Sequence, residues 1–273
     1  LDITHDRSRI TFCGAINNPN IGGEVVVANT QFFIDGSSPD SGHVYTNDWG
    51  TDCAISNNGT FVAALNRITG PGPGTYHDTV TGWDVQGNSL SQSWTRNVAG
   101  GEAMAWAIDF SPQDQTYTVA YNRPNEGVIT DFFHDSGAIN WYTPVPQNVS
   151  SLRWSPQSTV LAVGLHDPGR LLMVDSAGGI LSDYGWHGIV SNNKAYPSDI
   201  TAIAIDDQGL KFATSGKDGA IEIHNIEANL QLNIDRRFSS DYLREIDLHP
   251  GDPFVAFAES NGVVTVRDYR SGA

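Results

Sequence analysis

Six stretches of this chain align on one another without a gap: LDITHDRSRITFCGA from Leu1, CAISNNGTFVAALNR from Cys53, IDFSPQDQTYTVAYN from Ile108, LRWSPQSTVLAVGLH from Leu152, IAIDDQGLKFATSGK from Ile203 and IDLHPGDPFVAFAES from Ile246. A repeat of this kind constrains the fold more tightly than composition does, because every copy has to solve the same packing problem. Each copy reads as a short alternating strand, a turn and a second strand. Leu1, Cys53, Ile108, Leu152, Ile203 and Ile246 share one apolar column. Ile3, Ile55, Phe110, Trp154, Ile205 and Leu248 form another two residues on, the period at which side chains return to one face of a strand. Between the strands, SNNG, SPQD, SPQS, DDQG and HPGD supply residues that favour tight turns through preset φ, positive φ or local side-chain hydrogen bonds. In the second strand Thr11, Ala63, Thr118, Ala162, Ala213 and Ala256 make a small-residue column, which fits close packing between neighbouring sheets.

A third strand follows in each repeat: EVVVAN from Glu24, TVTGWD from Thr79, VITDFFHD from Val128, RLLMVD from Arg170, AIEIHN from Ala220 and VVTVRD from Val263. A more polar fourth follows in the first five: GHVYTNDW, SLSQSWTRN, AINWYTPV, GILSDYGW and LQLNID. Four antiparallel strands recurring at this spacing predict an all-β chain, a β-propeller of about six four-stranded blades, with almost no room for helix. The whole of 1–273 reads as a single propeller domain, with repeats at approximately 1–50, 51–100, 101–147, 148–197, 198–241 and 242–273. The last repeat ends after its third strand, and the first begins directly at its first. Two explanations are open: a domain trimmed from a longer protein, or a last blade completed by strand addition from a neighbouring subunit or flanking sequence.

At these residues the chain resembles the WD-repeat family and its relatives among β-propellers. The fifth repeat, IAIDDQGLKFATSGKDGAIEIHNI, is nearest to that family's pattern, and Trp83-Asp84, Val174-Asp175 and Arg267-Asp268 stand where its Trp-Asp doublet falls. The resemblance covers essentially the whole chain. It is degenerate, with one true Trp-Asp doublet and no regular Gly-His partner. It implies the fold and the family's usual role as an interaction platform, and no catalytic residue.

The formal net charge is −16 and the only lysines are Lys194, Lys211 and Lys217, so no basic stripe exists to neutralise phosphates. Nucleic acid and anionic membrane are thereby disfavoured as partners, and no apolar run reaches the length of a membrane-spanning helix. Asp far outnumbers Glu and Lys is scarce. Turn chemistry accounts for part of this bias; an extracellular setting is the sharper reading, with an intracellular one as the alternative. The glycosylation sequons at Asn58 and Asn148 occur no more often than chance provides in so Asn- and Ser/Thr-rich a chain.

By resemblance to propellers generally, the loops between strands two and three and those joining one blade to the next share one face. That face takes in INNPNIGG, TGPGPGTYHD, NDWGTD and WHGIVSNNKAYPSD. Trp49, Arg67, Tyr76, His77, Arg123, His166, Arg170, Trp186, His187 and Lys194 become candidate contacts on it, the aromatic and Arg members being natural anchors. In TGPGPGTYHD, Pro71 and Pro73 remove the N–H donors that a phosphate cradle needs, so the stretch reads as a stiffened loop. The His-Asp dipeptides at His5, His77, His134 and His166 differ in their place within the repeat and form no ring. No metal-ligand spacing, nucleophile elbow, P-loop or dinucleotide fingerprint is present, and no cofactor is called for. Cys13 and Cys53 lie in adjacent repeats, in otherwise small or apolar columns. They read as two buried thiols, or as a disulfide across the blades.

The leading functional reading is a non-catalytic propeller acting as a protein-interaction or structural module. Its partner would be another protein or a second copy, within an extracellular assembly or filament. The alternative is a secreted propeller hydrolase or small-ligand or carbohydrate binder with its site at the channel mouth.

Overall fold

The computed structural model describes residues 2–3, 8–18, 21–29, 41–46, 49–69, 76–87, 89–97, 104–113, 115–123, 126–166, 169–186, 188–191, 194–197, 199–225, 236–237, 242–249 and 251–270, and every regular element among them is a β-strand. The chain divides into two compact units, Leu1–Pro146 and Gln147–Ala273, with the boundary between the third and fourth repeats.

The first unit holds three antiparallel sheets of four strands. They are β1 (Asp2–Ile3), β2 (Arg9–Asn18), β3 (Ile21–Asn29) and β4 (Ser41–Thr46); β5 (Trp49–Ile55), β6 (Phe61–Thr69), β7 (Tyr76–Gln86) and β8 (Ser89–Asn97); and β9 (Met104–Phe110), β10 (Thr116–Arg123), β11 (Glu126–Phe133) and β12 (Ile139–Val145). The second unit opens with the sheet β13 (Val149–Trp154), β14 (Val160–Leu165), β15 (Arg170–Asp175) and β16 (Ile180–Trp186). A separate hairpin follows, β17 (Gly188–Ser191) and β18 (Lys194–Pro197). Next comes the sheet β19 (Ile200–Ile205), β20 (Lys211–Gly216), β21 (Ala220–Asn225) and β22 (Arg236–Arg237), and last the three-stranded sheet β23 (Leu243–Leu248), β24 (Phe254–Glu259) and β25 (Val264–Asp268).

The turns between first and second strands are built alike. Ser56, Ser111, Ser155, Asp206 and His249 each donate a backbone N–H to the carbonyl five residues on, at 2.8–3.0 Å. In three of these turns the side chain also accepts a backbone N–H: Ser56 Oγ from Phe61, Ser155 Oγ from Val160 and Asp206 Oδ1 from Lys211. This local bonding is why these residues favour turns over ladders. In three of these turns the fourth position takes positive φ, supplied by Gly59, by Gly209 and, in the fourth repeat, by Ser158 at 55°.

Strand pairing reproduces the sequence columns residue by residue. Opposite the small column stand Val27, Gly82, Asp131, Met173, Ile223 and Val266, each in a third strand. Two residues before them stand Val25, Val80, Ile129, Leu171, Ile221 and Val264. Neighbouring sheets bury these residues. Val25 and Val27 pack with Cys53, Ile55 and Val62 of the next repeat. Val80 packs with Ile108 and Phe110, Leu171 and Met173 with Ile203 and Phe212, and Ile221 and Ile223 with Ile246, Leu248 and Val255. First-strand columns of one repeat therefore seal the third strand of the repeat before it.

Several stretches read as loops from sequence are strand. In INNPNIGG the strands run to Asn18 and resume at Ile21. Trp49 begins β5, and Tyr76, His77 and Asp78 belong to β7, since Thr69, Ile68 and Arg67 on β6 continue to offer them an antiparallel partner. Only residues 70–75 of the glycine-proline stretch fall between strands, outside the described residues. WHGIVSNNKAYPSD contains the hairpin β17–β18. The expected fourth strand LQLNID lies outside the described residues, and Arg236–Arg237 is the segment paired to β21.

In the first unit an aromatic stack ties the second sheet to the third. Trp94 stacks between Phe61 and Tyr117, with ring centroids 5.9 and 5.1 Å away, and Tyr117 stacks on Phe132 at 5.3 Å. The indole N–H donates to the His134 carbonyl at 2.9 Å. Gly82 leaves the space for this stack, because a Cβ there would stand 2.7 Å from two indole atoms and also strike the Phe61 ring. Gly82→Ala is accordingly expected to lower stability by about 1–3 kcal/mol, the usual range for overpacking. Urea unfolding checks this, and an unchanged midpoint would contradict it.

Candidate interaction surfaces

A single irregularity recurs in the first strands. In five sheets one residue is skipped by the pairing between first and second strand: Thr51, Trp106, Ser150, Thr201 and Arg244. A bulge of this kind leaves the extra residue unpaired and re-aims its side chain. Ser150 and Thr201 turn their hydroxyls to the Gly164 and Ser215 carbonyls, each at 3.1 Å. The third and sixth repeats place large groups there instead. Trp106 is 50% exposed, and Arg244 is exposed with its guanidinium 5.1 Å above the Tyr242 ring.

Trp106 stands beside a buried ion pair. Arg67 Nε and Nη2 donate to Asp78 Oδ1 and Oδ2 at 3.2 and 3.3 Å, and Asp78 Oδ2 also accepts the Ala105 N–H. The Arg67 guanidinium lies 5.9 Å from the Trp106 ring centre. Asp78 is buried and only Arg67 reaches solvent. A bidentate pair of this geometry holds β6 and β7 together and fixes β9 to both. Arg123, at the end of β10, sits 5.5 Å over Tyr121 and pairs with Glu126 at 3.4 Å. Trp49 is paired across strands with Arg67, while its side chain and those of Tyr76 and His77 lie outside the described residues.

In the second unit His166 Nε2 and Lys217 Nζ both meet Asp199 Oδ2, at 2.9 and 2.5 Å, and lie 3.2 Å from each other. The His166 N–H donates to the Asn148 carbonyl and the Lys217 N–H to the Asp199 carbonyl, so loop ends of two successive repeats are clamped. One carboxylate is shared by a histidine and a lysine, an arrangement that fixes loops. Arg170 pairs with Asp183 and, across strands, with Trp186. Trp186 ends β16 and Lys194 begins β18, with side chains outside the described residues, as is the whole of His187. Of the candidates whose side chains are described, Arg67 and Arg123 stand in separate groups of the first unit, and His166 and Arg170 in separate groups of the second.

Sequence reading missed Trp106, Asp78, Asp199 and Lys217 as partners of these groups. Trp106 had a signal: in MAWAIDF a tryptophan lies between two alanines of a strand, where the paired residues are small. The other three depend on long-range pairing. Of the His-Asp dipeptides, His134 packs edge-on against Phe61 at 5.3 Å, and Asp78 serves Arg67. Among the described residues no group of three or more His, Cys, Asp or Glu could hold a metal ion. Cys13 and Cys53 are thiols at the junction of the first two sheets. Burial and the neighbouring Cys13 raise the Cys53 pKa well above its ordinary value.

The surface of β25 differs from every other third strand. Val264 and Val266 are 70% and 62% exposed, whereas Val25, Val27, Val80, Ile129, Asp131, Leu171, Met173, Ile221 and Ile223 are all at 4% or less. The edge is open as well. Glu259 and Tyr269 donate to the Val263 and Pro253 carbonyls, which fixes Val263, Thr265 and Arg267 as the residues whose backbone groups face β24. The backbone groups of Val264 and Val266 then point away from it, and no described strand pairs with them.

No protein-family model matches this sequence, and no curated protein matches it. Among solved structures, the β-propeller domain of Cps50 (Swd1) from Myceliophteria thermophila superposes with a TM-score of 0.71 at 12% identity, over 97% of this chain and 81% of that one. The chain has a β-propeller fold. Its four- and three-stranded sheets correspond to blades, and within each unit the sequence columns are the contacts between successive ones.

Asp131 breaks one such column. Its counterparts are Val27, Gly82, Met173, Ile223 and Val266, yet it is 1% exposed in the third blade. Thr118 Oγ1 and Asn140 Nδ2 donate to it at 2.7 and 3.0 Å. Burial pushes its pKa up to about 6 against the pull of these donors. Because the folded value is raised, stability from this group is full below the ordinary carboxylate range near 4 and is lost as pH rises through 6, an effect of about 3 kcal/mol. Asp131→Asn is expected to stabilise the protein near pH 7 and to lose that advantage below pH 4, as read by denaturant midpoints of both proteins across the range. A pH-independent difference would contradict the assignment.

Proposed function

We propose that this propeller is a non-catalytic protein-interaction module and that it takes up a protein partner at β25. The exposure of Val264 and Val266 carries the reading, because residues in the same two columns are sealed in the five other blades. An open strand edge with β-branched side chains is a template for another chain, and soluble proteins ordinarily shorten, charge or cover such edges. Trp106 with Arg67, and Arg244 with Tyr242, add exposed aromatic and Arg groups of the kind that anchor protein contacts.

Two variants test the reading without dismantling the blade. Val266→Pro removes an N–H that points away from β24, and Val264→Lys puts a charge on the open face. Wild-type protein immobilised and exposed to extract from its source is expected to retain a partner that both variants lose by about tenfold or more, with their melting temperatures close to wild type. Equal retention by wild type and both variants would overturn it.

A further inference from the structure

We infer that Cys13 and Cys53 are a modification site, a thiol pair that closes into a disulfide between the first two blades. Cys13 lies in β2, opposite Val25 of β3, and Cys53 lies in β5, opposite Ala64 of β6. Both side chains belong to one packed cluster with Val25, Val27, Ile55 and Trp83, and the two thiols hydrogen-bond each other. The repeat explains why they meet. Cys13 is the thirteenth residue of its aligned stretch and Cys53 is the first of the next. One junction on, the same two positions are Leu65 and Ile108, which share a cluster. In the second unit they are Gly164 and Ile203, where a Cβ on Gly164 would stand 3.3 Å from Ile203 Cδ1. Contact between these positions is therefore a property of the repeat. The chain has 2 cysteines, and both stand at this one contact.

The two thiols differ in access. Cys53 is buried at 2% exposure, whereas Cys13 is half-buried. Burial and the hydrogen bond to Cys13 keep Cys53 protonated, so it does not begin an exchange. Cys13 begins it: its thiolate attacks one sulfur of a small disulfide such as oxidised glutathione, the S–S bond of that reagent breaks, and the released thiolate takes up the Cys13 proton. Cys53 is then the thiol within reach. Its sulfur attacks the Cys13 sulfur, its proton passes to the second glutathione thiolate as that leaves, and the Cys13–Cys53 bond forms. One small disulfide is reduced to two thiols, and the two cysteines together give up two electrons. The product ties β2 to β5 and closes a loop of about 40 residues in the unfolded chain. It adds a covalent link to a junction that packing and the Arg9 bond to the Gly59 carbonyl already hold.

The test uses purified protein spanning 1–273, fully reduced and then equilibrated with mixtures of reduced and oxidised glutathione. Intact mass, the identity of linked peptides and the melting temperature are read on each mixture. Oxidation is expected to remove two hydrogens from the monomer and to link the peptide of Cys13 to that of Cys53. It is expected to raise the melting temperature by about 5 °C or more, a gain that a thiol reductant reverses. Cys53→Ser is expected to stop at glutathione on Cys13, and Cys13→Ser to stay unmodified because Cys53 is buried, with neither variant stabilised by the oxidant. Wild type that keeps both thiols across the range, halts at glutathione on Cys13, pairs its cysteines between molecules or melts lower once oxidised would overturn the inference. The wild-type masses decide the question by themselves, even where Cys53→Ser folds poorly.

Discussion

A sheet of four short strands with apolar rows on both faces cannot bury itself, and every other feature of this molecule follows from that constraint. Each blade depends on the next to cover its third strand. The cover is specific: Ile55, Phe110, Ile203 and Leu248 are the first-strand residues that seal their neighbours. Stability in such an array is a sum over junctions between neighbours, so a blade with nothing on one side is where the array continues or ends.

Polar groups inside the array mark where the repeat has been altered. Asp131 occupies a core column and survives there because Thr118 and Asn140 donate to it. Asp78 is tied to Arg67 and to the Ala105 N–H, which turns an isolated buried charge into a three-strand clasp. The recurrent first-strand bulge has a quiet version in Ser150 and Thr201, whose hydroxyls are absorbed by the neighbouring strand. In Trp106 and Arg244 the same bulge directs large groups outward, so one backbone device serves as ladder repair in some blades and as surface in others.

Much of this was legible in the sequence, because the repeat itself is local. The aligned columns predicted the strand pairing of all six repeats, and the turn residues predicted the tight connections, since both depend on side chains a few positions apart. The glycine-proline stretch illustrates the limit. It reads as a loop through Asp78, yet Tyr76 to Asp78 are strand because β6 extends opposite them. Pairing across seven to eleven residues decided that boundary. The bulge was invisible for the same reason, as a skipped residue is defined only against its partner strand. Among the described residues the last sheet has the three strands read from the sequence, whereas the exposure of its third strand was not legible, because burial is a property of neighbours.

The central claim is that the third strand of the last sheet presents Val264 and Val266 to solvent, open to a protein partner. Cysteine accessibility measures this directly. Val266→Cys, compared with Ile223→Cys in the same column, is exposed to a thiol reagent under native conditions, with wild type as the background for Cys13 and Cys53. The account predicts rapid labelling at position 266 and slow labelling at 223. Protection of 266 equal to that of 223 at high dilution would show the face already sealed within one chain, and would contradict the account.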